Sequence, residues 1–259
     1  MKNLMIGTVL KDGSPTQRKW LDTQLAFIRA TTEDFDHVAV VNKQVPLNSL
    51  PTTVIHPVEQ GLEGSRGHQQ ALMILADWFK RHSKNYRYFM FLDCDAFPIR
   101  EHWLEILNAK MGNKELAAII RPENMEFRLH ASIMLAKPEA MPNINFVATK
   151  LGHRLDGSIE KDLNVPFYEA RQERAFRMVR SNKHNIHPVG CGIYFDMFYH
   201  HTNGGDCNYI EGSRFYWDHM IEPTQNLFQH RDQLFANPTL FIRRLSWNPE
   251  SCPDIVCPS

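Results

Sequence analysis

An α/β protein built on a mainly parallel central sheet is what this sequence predicts, and three observations predict it. Through residues 1–121, short apolar runs of strand length alternate with stretches whose apolar residues recur at helical spacing. Within Y-R-Y-F-M-F-L (86–92), Phe89 to Leu92, with Tyr88 before them, are apolar on successive residues, as a central strand covered on both faces must be. That run ends in two carboxylates, Asp93 and Asp95, at the edge where parallel sheets gather their ligands.

The elements follow in order. Leu4 to Leu10 reads as a first strand, and the turn-rich K-D-G-S-P-T leads into a helix marked by Trp20, Leu21, Leu25 and Ile28. H-V-A-V-V-N (37–42) and T-T-V-I-H (52–56) are the next strands. A glycine-punctuated loop, G-L-E-G-S-R-G, precedes a helix with Ala71, Leu72, Leu75, Ala76 and Phe79 on one face. After the aspartates, Pro98 is expected to end regular pairing. Trp103, Ile106 and Leu107 then suggest a helix, and L-A-A-I-I-R (116–121) a buried strand. Beyond residue 121 the texture changes. It holds A-S-I-M-L-A (131–136), a helix-like L-D-G-S-I-E-K-D-L (155–163), an apolar strand C-G-I-Y-F-D-M-F-Y (191–199) and a polar tail. Residues 1–259 are expected to form a single domain.

Composition narrows the classes. The chain has 259 residues, 29 basic against 29 acidic, so no global positive field invites nucleic acid. Five cysteines, at 94, 191, 207, 252 and 257, argue against a disulfide framework and for a reducing compartment. The pair in C-P-D-I-V-C lacks the second pair that a zinc site needs. The apolar run at the N-terminus is too short for a signal peptide, and no run reaches membrane-spanning length. The expected location is cytoplasmic, with peripheral attachment to a membrane left open.

Asp93 and Asp95 carry the chemistry. Two carboxylates at i and i+2, just past a buried strand, can face one pocket if the chain turns there. Hard oxygen ligands suit Mn2+ or Mg2+, which in turn neutralises a diphosphate. The ordinary alternative is a helix cap and a solvated aspartate. In the loop before the second helix, glycines including Gly64 allow close backbone approach and Arg66 adds a cation suited to phosphate. Late in the chain, an apolar strand ends in His200 and His201, either of which could complete a metal site beside carboxylates. Strand alternation with Asp196 and Phe198 favours His200. Asp156 is a helix-cap candidate as well as a candidate general base, and Glu126 and His130 are further candidates to face a second substrate. The aromatics of 215–219 and Trp247 suit the core first and ring-stacking platforms second.

Y-F-M-F-L-D-C-D-A-F-P-I resembles the D-x-D segment of GT-A glycosyltransferases, and the resemblance runs over most of the chain as an order of features. It implies a nucleotide pocket formed by the first strand and its loop (I-G-T-V-L-K-D-G, with Thr8 and Val9), by V-V-N with Asn42, and by E-G-S-R-G-H-Q-Q-A with Gly64 and Arg66. Many GT-A enzymes have Arg-Asn in that third loop; here Arg66 is followed by Gly67. Asp93 would serve both donor and metal, with Asp95 and one histidine of the 200–201 pair completing the metal site. Asp156-Gly157 resembles the Asp-Gly that opens an acceptor-side helix in many sugar transferases. Residues 1–121 then become a nucleotide-sugar half and 122–259 an acceptor half with a tail. The implied cofactors are Mn2+ or Mg2+ and a nucleotide-diphospho-sugar, a UDP-sugar first among them. The implied acceptor is a glycan or lipid-linked glycan, with a modified DNA base as the minority option, for which the basic runs 79–87 and 177–184 offer phosphate contacts. Two other classes compete. A sugar-nucleotide pyrophosphorylase would need a G-G-x-G-T-R-type loop after the first strand, where this chain has G-T-V-L-K-D-G-S-P. A non-catalytic carbohydrate- or nucleotide-binding protein is the other.

Overall fold

A computed structural model of the chain describes residues 2–42, 50–56, 64–124, 126–153, 159–164, 174–187, 190–202 and 223–246. β1 (Lys2–Leu10) leads to α1 (Pro15–Thr31), which starts where Ser14 Oγ accepts the Gln17 N–H and Pro15 takes the first helical position. β2 (Phe35–Val41) and β3 (Thr53–Ile55) follow, then α2 (Gly64–His82) and the central strand β4 (Tyr86–Asp93). After the aspartates come a short β5 (Ala96–Pro98), α3 (Trp103–Met111), β6 (Leu116–Arg121) and β7 (Glu126–Ala136). β8 (Val147–His153), β9 (Ile159–Asn164), β10 (Ala175–Met178), β11 (Gly192–Tyr194) and β12 (Phe198–His200) precede the closing helices α4 (Pro223–Ala236) and α5 (Pro238–Leu245).

The expected α/β class is the one the chain adopts. Seven strands lie in the order β10-β6-β7-β4-β1-β2-β3, with β9 added to β7 and β8 to β9. β1 pairs in parallel with both β2 and β4, β3 in parallel with β2 and β10 in parallel with β6, while β7 runs antiparallel between β4 and β6. Strands from both sides of residue 121 therefore share one sheet.

Alternation along β4 explains its burial. Phe89 and Phe91 face α2, packing with Phe79 at 5.0 and 4.8 Å between ring centroids; Met90 and Leu92 face Leu104, Leu107 and Ile28 of the helices on the other side. Each such ring or aliphatic side chain taken from water contributes about 1.5–3 kcal/mol. Gly7 of β1 lets α2 approach closely: a Cβ there would lie 2.4 Å from Leu75 Cδ1.

A second, three-stranded antiparallel sheet, β11-β12-β5, sits beside the first and buries Phe97, Ile193 and Tyr199 against α1, α4 and α5. This sheet refines one sequence expectation and corrects two. Pro98 does end regular pairing, but as the last residue of an unforeseen short edge strand, β5, opposite Phe198, where a missing N–H is tolerated. The single strand expected over 191–199 is a hairpin, turned at Phe195 and Asp196, which both take left-handed φ (53° and 52°). The polar tail contains two helices, which bury Leu227, Leu234, Phe241, Ile242 and Leu245 and leave Phe228 and Leu240 exposed.

A third correction concerns the helix expected over 155–163. Residues 159–164 form β9, paired antiparallel with β8 from Val147↔Asn164 to His153↔Ile159. Leu155, Ile159 and Leu163 sit at helical spacing, yet pairing with β8 and β7 decides the local structure.

Candidate metal centre

The two aspartates bracket the turn at which the chain leaves the large sheet for the small one, since β4 belongs to the first and β5 to the second. Three groups hold that turn. Thr8 Oγ1 donates to Leu92 O (2.9 Å). Gln24 of α1, fully buried, donates through Nε2 to both Asp93 O (2.8 Å) and Ala96 O (2.7 Å). The backbone N–H of His201 donates to Asp95 O (3.1 Å).

The same pairing brings in His200. β12 lies antiparallel to β5 with His200 opposite Ala96, so the residue that ends β12 meets the residue that precedes β5. His200 Nε2 stands 3.5 Å from Asp95 Oδ1 and 3.9 Å from Asp93 Oδ2. One ligand atom from each of Asp93, Asp95 and His200 fits within a mutual span of 4.8 Å. The Asp95 and His200 side chains are only 5% and 3% exposed, so each needs the other's company inside the protein. On Asp93, burial pushes the carboxyl up, but the imidazoles of His68, His200 and His130 outweigh it and hold the group well below the usual carboxylate range. Burial likewise opposes ionisation of Asp95, and His200 overcomes it, so its pKa is also lowered. Two carboxylates and one imidazole within such a span fit Mn2+ or Mg2+, whose ligands stand about 2.0–2.1 Å from a magnesium-sized ion.

The other candidates fall out differently. His201 lies outside this cluster: its Nε2–H donates to Leu227 O (3.0 Å), its Nδ1 accepts from the Tyr199 hydroxyl (2.7 Å), and its ring packs on Trp20. Both ring nitrogens are satisfied only in the neutral form, and burial lowers its pKa to about 4. Thr8 is fully buried with its hydroxyl on β4, and Val9 belongs to the core beneath α2. Asn42 does sit at the carboxyl end of β2, half-buried, its backbone N–H on Leu10 O and its Oδ1 without a hydrogen-bond partner among the described residues. Gly64 and Arg66 open the first turn of α2, at the same edge of the sheet. His130 is buried on β7 and hydrogen-bonded to Ser132. Asp156, the aromatics 215–219 and Trp247 lie outside the described residues. From the basic run 177–184, Arg180 donates to His187 O and Gly190 O, which ties it to its own loop.

Sequence reasoning missed His68 and Gln24. His68 Nε2 is 3.1 Å from Asp93 Oδ1. Its signal was available: Asp93 continues the parity of Phe89 and Phe91, the face on which α2 packs, and His68 stands near the N-terminus of that helix. Gln24 carries no motif, because its partners are main-chain carbonyls.

The sequence matches no protein-family model and no curated protein. Among solved structures, the chain is similar to the glycosyltransferase GlyE of Streptococcus pneumoniae TIGR4 at 14% identity and TM-score 0.34, over 55% of this chain and 36% of that one. It is similar to a protein from STIV at 12% identity and TM-score 0.39, over 77% and 94% of the two chains. A third is the mannosyltransferase PcManGT of Pyrobaculum calidifontis, solved in complex with GDP-Man and Mn2+, at 10% identity and TM-score 0.36, over 54% and 46%. The chain thus spans about a third of GlyE and less than half of PcManGT.

Proposed function

We propose that the chain is a metal-dependent glycosyltransferase that moves a sugar from a nucleotide-diphosphate donor, a UDP-sugar first among candidates, to an acceptor hydroxyl. The observation that carries this reading is the convergence of Asp93, Asp95 and His200 at the carboxyl edge of the central sheet. A Mn2+ or Mg2+ ion held by these three residues would supply Lewis-acid stabilisation of the departing nucleotide diphosphate. The chain contributes the rest. Asp93 and Asp95 are ionised at neutral pH, so their oxygens are free to ligate without first losing a proton. The N-terminus of α2 presents backbone N–H groups toward the same edge, a disposition suited to phosphate, and Arg66 in its first turn is the candidate cation beside it. Asn42, at the carboxyl end of β2, is the candidate polar side chain for the nucleobase.

The acceptor is a glycan or lipid-linked glycan in this reading, with a modified DNA base second, and Asp156 is the candidate base for the acceptor hydroxyl. The location is cytoplasmic, with peripheral membrane attachment open; no described helix is long and apolar enough to cross a membrane.

Asp93→Ala, Asp95→Ala and His200→Ala are each expected to lower Mn2+-dependent transfer or hydrolysis of the donor. Losing several kcal/mol of charge stabilisation corresponds to at least about a hundredfold in rate. Far-UV circular dichroism should stay unchanged. Full activity in an aspartate variant, or in excess EDTA, contradicts the proposal.

A further inference from the structure

Asp93 is approached by two imidazoles, one at each oxygen. His200 Nε2 stands 3.9 Å from Oδ2, beyond hydrogen-bond reach, whereas His68 Nε2 stands 3.1 Å from Oδ1, within it. His68 is not among the three residues whose ligand atoms share the 4.8 Å span. It comes from a different element, near the N-terminus of the 19-residue α2, and its side chain is 30% exposed. Asp93 points to it because alternation along β4 places Asp93 on the α2 face with Phe89 and Phe91.

A carboxylate rotates freely about its last torsion, a broad two-fold well, so a ligand oxygen stays on target only if something stops the rotation. We propose that His68 is that stop: a positioning residue whose Nε2–H donates to Asp93 Oδ1 and leaves Oδ2 alone to face the cation. Asp93 then ligates through one oxygen, with its orientation fixed by a helix and not by a loop. The inference rests on the cation reading of Asp93, Asp95 and His200. Donors to metal ligands of this kind cost about 10- to 100-fold in metal affinity when removed.

The test is a Mn2+ titration of the full chain, without nucleotide, followed by the EPR signal of the free ion. Wild type, His68→Leu, His68→Gln and Asp95→Ala are compared, with a melting curve for each. His68→Leu should weaken Mn2+ binding about tenfold or more, with a melting curve that stays cooperative. His68→Gln, whose amide nitrogen reaches the place of Nε2, should keep wild-type affinity within a few-fold, about the error of such a substitution. Electron spin-echo spectra of the wild-type Mn2+ complex should carry nitrogen coupling from one imidazole, that of His200. The inference is overturned if His68→Leu binds Mn2+ as tightly as wild type. It is also overturned if the glutamine variant loses as much as the leucine one, or if two imidazoles couple to the ion, because His68 is then itself a ligand. A wild-type protein that binds no Mn2+ sinks the cation reading itself. A protein that loses binding on Asp95→Ala but not on His68→Leu sinks this inference alone.

Discussion

Gln24 shows how a side chain that carries no motif can fix the turn on which a candidate site is built. Its two N–H groups tie Asp93 O and Ala96 O, the carbonyls on either side of the Asp-Cys-Asp turn, so that the turn cannot open. Gln24→Leu leaves two carbonyls without that donor, at about 1–3 kcal/mol each. Urea unfolding should show a loss of that order, and Mn2+ affinity should fall with it; wild-type values of both would show that the clamp has no such role. The two candidate carboxylate ligands were legible in the sequence because charge after a buried strand is conspicuous. His200 was legible too, but for a reason the structure replaces. Alternation with Asp196 cannot place it, since Asp196 lies in the hairpin turn; register with Ala96 of β5 does. His68 was passed over because its partner is found only when the face of β4 is matched to the helix that covers it.

Among the elements, those with local signals were readable and those made by pairing were not. α1, α2, β4 and β6 announce themselves through caps, helical spacing or unbroken apolar runs. β5 is three residues long, and β9 carries helical spacing; each exists because a partner strand supplies its hydrogen bonds. The β2–β3 edge offers a test of such pairing. His37 on β2 donates from Nδ1 to Thr52 Oγ1 (2.6 Å), while Thr52 donates to His37 O, and the buried Nε2 has no partner among the described residues. Burial first, and then the charge of Arg29, lowers its pKa to about 3. A histidine kept neutral in the fold stabilises fully above its unfolded value, near 6.5. That contribution is lost as pH falls from there toward 3. The unfolding free energy should therefore fall by about 1.4 kcal/mol per pH unit on this account between pH 6 and 4. His37→Leu should flatten the urea-derived slope by that amount. An unchanged slope would mean that His37 titrates alike in both states.

At the scale of the whole molecule, the candidate centre lies at a seam. One carboxylate ends a strand of the large sheet, the other precedes a strand of the small one, and the histidine comes from that small sheet's middle strand. The parallel half of the large sheet was foreseeable from alternating strands and helices. The small sheet was not, because its strands of three residues are separated by almost 100 positions and are joined only by register. The same distance makes the site a property of the complete fold. Metal and donor should therefore stabilise the native state together, each raising the melting temperature by binding it in preference to the unfolded chain. A thermal-shift matrix of nucleotide sugars with and without Mn2+ tests this most directly. The account predicts a shift for one nucleotide sugar that appears with Mn2+ and vanishes in EDTA and in Asp95→Ala. A shift that persists unchanged without the metal, or no shift with any nucleotide sugar, would contradict it.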